Sequence, residues 1–121
     1  MGPGAFLKAM ALGADAVFIG TAALLAIVHA QAGKVLPWEP PIALVFAESR
    51  SSRRFDPFAG AQGLANFLRN SAREMRELAL AMGYKRLNEI KSKDLCSFDR
   101  ELSEWLGIPW VGDASAGDEP L

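Results

Sequence analysis

A mainly α-helical chain with one or two short strands is what this sequence predicts, on three observations. An amphipathic helical period runs through residues 60–82. A short apolar run at residues 16–19 passes through Gly20-Thr21 straight into a second helical pattern. Glycines and prolines stand where helices should start and stop.

Taken in order, residues 3–12 read as a short helix with Pro3 in its first turn and Gly13 closing it, with Phe6, Leu7 and Met10 at helical spacing. Residues 15–19 read as a strand. Residues 21–32 form the next helix, ended by Gly33. LPWEPP is rigid and extended, because prolines fix φ and remove donors. IALVF at 42–46 is either a second short strand or a buried extended segment. Residues 48–58 read as a polar loop that clusters Arg50, Arg53 and Arg54.

In the long helix, Leu64, Phe67, Leu68, Ser71, Met75, Leu78, Ala79 and Met82 share one face, with Arg69, Arg73, Arg76 and Glu77 on the solvated side. Gly83 terminates it. One turn is expected near residues 87–90. Ser92 is expected to cap a last helix over 93–106, with Leu95, Phe98, Leu102 and Trp105 on its apolar face and Gly107 and Pro109 at its end. The acidic, small-residue stretch 113–121 reads as a disordered tail. No internal repeat is visible.

With 121 residues the chain suffices for one small domain, and half of its residues are hydrophobic. A net charge of −1 gives no reason to expect nucleic acid. A lone cysteine, Cys96, cannot make an internal disulfide, so a cytoplasmic location is expected. Residues 16–33 carry no formal charge, which touches the lower limit for a membrane span. Gly20, Thr21 and His29 interrupt that run, and a strand followed by a buried helix explains it better. Lys8 before the run and Ala30-Gln31-Ala32 at its end outline a signal peptide, against which Asp15 argues.

The strand, glycine, threonine, helix order at residues 16–24 is the best site candidate. Glycine lets a phosphate approach the backbone, and the first N–H groups of a helix have no partner within it. Gly20, Thr21 and Ala22 are the expected cofactor-binding residues. The alternative is an ordinary strand-to-helix turn with Thr21 as the N-cap.

LGADAV before the strand resembles the helix–turn–strand join of a (β/α)8 barrel, whose phosphate sites lie at the loops after strands 7 and 8. GAFLKAMALGADAVFIGTAALLA is similar to the seventh helix, eighth strand and eighth helix of FMN-binding glutamate synthases. The similarity continues through KVLPWEPPIALVF, GAQGLANFLRNSAREMRELALAMGYKRLNEIKSKDL and FDRELSEWLGIP, covering residues 4–110. GADAV-x-IG occurs in many flavin barrels, whereas GTAAL, PWEPP and GAQGLANFL together are more specific.

The resemblance implies the C-terminal piece of a (β/α)8 FMN barrel. It also implies FMN as cofactor, reduction of 2-iminoglutarate to glutamate, ammonia from glutamine, and a ferredoxin-like or NAD(P)H-linked electron donor. A whole barrel needs roughly 250 residues. The family's phosphate loop after strand 7 is expected just before this sequence, where only Met1-Gly2-Pro3-Gly4 stands. Well-characterised members carry a cysteine-rich iron–sulfur loop soon after the eighth strand. Here HAQAGKVLPWEPP holds no cysteine, so no iron–sulfur cluster is expected and the chain looks closest to a cluster-lacking branch.

No catalytic residue and no metal ligand is expected in this piece. His29 reads as a packed histidine, Cys96 as a small core residue on a helix face, and Trp38 as packing against the barrel flank or serving at the surface. Asp99, Glu101 and Glu104 read as a solvated face, and Arg50, Arg53 and Arg54 as a mobile loop or an anion grip. The expected organisation is the barrel end and its following segment at 1–58, a helical extension at 59–112 and the tail at 113–121. The expected partner is the remainder of the barrel, in cis or as a separate chain. Alone, the chain is expected to be inactive and to self-associate near Ile19, Leu24, Phe67 and Met75. The rival reading is a small helical self-association or partner-binding module without catalysis.

Overall fold

Helix signals in the sequence translate into four α-helices in the computed structural model, which describes residues 2–113. They are α1 (Pro3–Ala11), α2 (Gly20–Val28), α3 (Pro57–Ala81) and α4 (Arg100–Leu106). Five short 3₁₀ helices fill much of the rest. The expected tail lies largely outside the described residues.

Neither expected strand forms. Residues 16–19 carry no regular structure, and 42–45 fall in a 3₁₀ helix, Pro41–Val45, with Phe46 just past its end. A strand needs a neighbour to take its backbone N–H and C=O groups. Among the described residues there is only an isolated parallel bridge, Ser97 with Trp110. At Pro41–Val45 the chain satisfies itself locally, with the Ala43 N–H donating to the Pro40 carbonyl at 2.9 Å.

The chain divides into two compact units. The first holds residues 1–3 and 18–74. It contains α2, the 3₁₀ helices His29–Lys34, Pro41–Val45 and Arg50–Arg54, and the start of α3. Val28, Leu44 and Ser51 are its most deeply buried side chains. Instead of running to Gly33 as an α-helix, α2 ends at Val28 and tightens into His29–Lys34. There the buried Gln31 donates to the Asp56 carbonyl at 2.9 Å and accepts from the Asp56 N–H at 2.8 Å. Asp56 in turn starts α3 three residues earlier than expected. Its carboxylate accepts from the N–H groups of Phe58 and Ala59, and Pro57 supplies the first turn.

The second unit holds residues 4–17 and 75–121. Its buried apolar side chains are Phe6, Leu7, Ala11, Met75, Ala79, Ile90 and Ile108. Gly13 and Gly83 end α1 and α3 as expected, at φ +103° and +85°. Each sits in a Schellman closure, with Ala14 N–H reaching Ala9 O and Tyr84 N–H reaching Ala79 O. The last helix is shorter than expected. Its N-cap is Asp99, which accepts from the Leu102 N–H at 3.0 Å. Upstream, Ser97 is held by Pro109 and Val111 in backbone bonds of 2.9 Å. Cys96 is therefore exposed in the segment before α4, not packed on a helix face. Most of the expected apolar face is exposed as well, since Phe98 is 86% and Trp105 76% accessible, while Leu95 is half-buried.

Of the face expected to be buried on α3, Ser71, Met75 and Ala79 are buried, whereas Leu68, Leu78 and Met82 are exposed. Among the described residues no helix is long and apolar enough to cross a membrane.

Candidate functional site: the open first turn of α2

The nine-residue helix α2 begins without a cap of its own. Ile19 holds the N-cap position at φ −116° and ψ 15°, and no side chain accepts from the first turn. The first bond of the helix runs from the Ala23 N–H to the Ile19 carbonyl at 3.0 Å. The N–H groups of Gly20, Thr21 and Ala22 precede it and have no partner among the described residues. Thr21 lies inside the helix, which removes the reading of its hydroxyl as the N-cap.

Gly20 and Thr21 are exposed and Ala22 is half-buried. A Cβ placed on Gly20 would meet nothing within 4 Å. Unpartnered N–H groups at the positive end of a helix, with no side chain at Gly20 beside them, suit phosphate oxygens.

Thr21 and Ala22 also border an apolar groove of about 560 Å³, with Leu25 and His29 farther along α2 and Gly63, Asn66 and Phe67 on α3. The α3 residues could not be associated with Gly20 from sequence, because only the packing of α3 on α2 brings them there. Gly63 is what permits that packing: a Cβ there would lie 2.5 Å from the Ala26 carbonyl oxygen. His29 is exposed, not packed, because it is the first residue beyond α2 and faces this groove. No described side chain hydrogen-bonds to it, so it has no acid–base partner here.

A second polar feature lies in the same unit. The three arginines expected on a loop belong to the 3₁₀ helix Arg50–Arg54. Its anchor is Ser51, which is fully buried. The Ser51 hydroxyl donates to the Glu39 carboxylate and accepts from the Leu36 N–H at 2.9 Å. The same Glu39 oxygen accepts from the Ser49 hydroxyl at 3.0 Å and the Ser51 N–H at 3.2 Å. These bonds, the Ser51 hydroxyl foremost, hold the Glu39 carboxyl below its ordinary value of 4.5. Trp38, one residue before Glu39, is 71% accessible. Among the described residues no three His, Cys, Asp or Glu side chains come together as a metal site.

The family model described as the conserved region in glutamate synthase matches residues 3–85. The chain is 33% identical to a glutamate synthase large subunit-like protein of Rhizobium meliloti, over 87% of this chain and 27% of that protein. It is 34% identical to an archaeal-type glutamate synthase (NADPH) of Thermotoga neapolitana, over 89% of this chain and 22% of that protein. It is 33% identical to an archaeal glutamate synthase (NADPH) of Methanocaldococcus jannaschii, over 88% of this chain and 22% of that protein. It thus spans about a quarter of the length of these relatives. No solved structure matches it. On the family match across most of its length, the chain belongs to the glutamate synthase family.

Proposed function

We propose that this chain serves as the C-terminal part of an FMN-dependent, glutamate synthase-like (β/α)8 oxidoreductase, and that the first turn of α2 forms part of the FMN phosphate site. The observation that carries the reading is the set of three free N–H groups at Gly20, Thr21 and Ala22, inside the segment matched by the family model. FMN, when bound, supplies the electrons for reducing a 2-iminoglutarate-type substrate to an amino acid. The chain's own part is binding. The three N–H groups donate to phosphate oxygens, the open side of Gly20 admits them, and the helix end favours their charge. The Thr21 hydroxyl adds a further donor. NADPH, named for two of the relatives, is one donor class this reading admits. A cytoplasmic location belongs to the same reading.

The partner in this reading is the remainder of the barrel, which would place its strand beside residues 16–19 and cover apolar side chains such as Phe18, 97% accessible here. Alone, the chain is expected to leave a flavin ring unburied and to be inactive. Titration of the 121-residue chain with FMN, followed by flavin fluorescence, tests the division of labour. Binding weaker than micromolar is expected. Submicromolar binding, a free energy beyond about −8 kcal/mol, would show that the chain holds the cofactor without the rest of a barrel.

The exposed aromatics favour a second reading, a self-association or partner-binding module. Phe18 and Phe58 stand out in the first unit, Phe98 and Trp105 in the second. The residues expected at such contacts are placed differently: Met75 is buried within its own unit, and Ile19, Leu24 and Phe67 are half-buried. Light scattering of the chain at micromolar concentration distinguishes a monomer from an oligomer.

A further inference from the structure

We propose that Arg50 and Arg53 form an oxyanion platform that binds a phosphoryl dianion, as free phosphate or as the phosphate of a small ester. The inference does not rest on the flavin reading. The two arginines lie three residues apart in the 3₁₀ helix Arg50–Arg54. In that helix type side chains at i and i+3 eclipse, so both leave the backbone on one side. Together with Ser49 and Ser52 they border a hollow of about 480 Å³.

Neither guanidinium has a hydrogen-bond or ion-pair partner among the described residues. Several other arginines are engaged. Arg54 donates to the Lys34 carbonyl, while Arg86 and Arg100 pair with Glu89 and Glu104. The stems of Arg50 and Arg53 also start from a fixed base. Ser51 between them is fully buried and tied to Glu39 and Leu36. A fixed base lowers the ordering cost of binding.

Two carboxylates lie nearby. Glu39 keeps its charge, which the neutral Ser49 and Ser51 donors stabilise, but it is not among the residues that line the hollow. Glu48 borders the hollow and has no partner of its own among the described residues. Among the residues that line the hollow, two guanidiniums stand against one carboxylate, so the lining carries a net positive charge. Planar guanidinium forks match phosphoryl oxygens in pairs, which is the chemistry that selects this ligand class.

Calorimetry of the full chain at low ionic strength, with inorganic phosphate and with ribose 5-phosphate, tests the proposal. Arg50→Gln and Arg53→Gln should each weaken binding about fivefold or more. Glu48→Gln should tighten it, an effect that damage to the fold would not produce. Arg76→Gln, on α3, should change nothing, and circular dichroism should match across the set. Tighter binding of the ester supports an ester ligand, and equal binding supports free phosphate. No measurable binding, or binding unaffected by both arginine substitutions, overturns the proposal.

Discussion

Gly20 and Gly63 belong to the same compact unit and answer opposite needs. At Gly63 the missing side chain is used by the protein itself, because α3 rests on α2 at the Ala26 carbonyl. At Gly20 the missing side chain leaves space that the chain does not fill. The two helix starts differ in the same way. Asp56 closes the first turn of α3 with its own carboxylate, whereas the first turn of α2 has no side-chain acceptor. A region whose polar groups are all answered internally is architecture. One left open at both the backbone and the Cβ position is suited to a visitor.

The contrast is easiest to break at Gly63. Gly63→Ala forces a methyl group against backbone that cannot swing aside, so α2 and α3 must separate. A loss of about 1–3 kcal/mol is expected in urea unfolding of the chain. Gly20→Ala, by the same measurement, should cost nothing and gain a few tenths up to about 1 kcal/mol from helix propensity. Equal losses at both glycines would remove the distinction.

The caps give the next effect in size. Asp56→Ala should cost about 1 kcal/mol, as a lost N-cap does. Ile19→Ser should act in the opposite sense, stabilising α2 by a few tenths of a kcal/mol or more while placing an acceptor where the phosphate oxygens are proposed to sit. Loss of stability in Ile19→Ser would mean that the first turn is already satisfied.

The smallest effect is in pH. The Glu39 carboxyl is held below 4.5 chiefly by the Ser51 hydroxyl. A lowered folded-state value means that the clasp's contribution is complete above the ordinary carboxylate range and disappears as pH falls through the lowered value. Glu39→Gln should flatten that acid limb in thermal melts from pH 7 to pH 3. An unchanged limb would locate the acid sensitivity elsewhere.

What the sequence made legible follows the range of the physics involved. Local signals read correctly: Pro3 in the first turn of α1, and Gly13, Gly83 and Gly107 just past helix ends. Helix starts were less legible where a cap competes with hydrophobic period, as at Asp56 and Asp99, each a carboxylate that set the boundary. The strand expected at 15–19 and the strand or extended segment at 42–46 were read from short apolar runs, and a strand depends on partners that such a run cannot supply. For the site, the position of Gly20, Thr21 and Ala22 at a helix start was visible in the order of residues. The approach of Asn66 and Phe67 was not, since it depends on helix packing. Neither was the Glu39–Ser51 clasp, which turns an expected loop into a fixed 3₁₀ helix.

The central claim is that Gly20 is kept open for a phosphate and not for the fold. Its most direct test is the flavin content of the barrel-containing protein carrying Gly20→Val, purified and compared with the unsubstituted protein by absorbance and by thermal melting. A side chain at the first turn should exclude the phosphate oxygens and lower flavin content about tenfold, with the melting temperature of the flavin-stripped proteins unchanged. A Gly20→Val protein that retains its full flavin complement would contradict the assignment of the α2 first turn as part of the phosphate site.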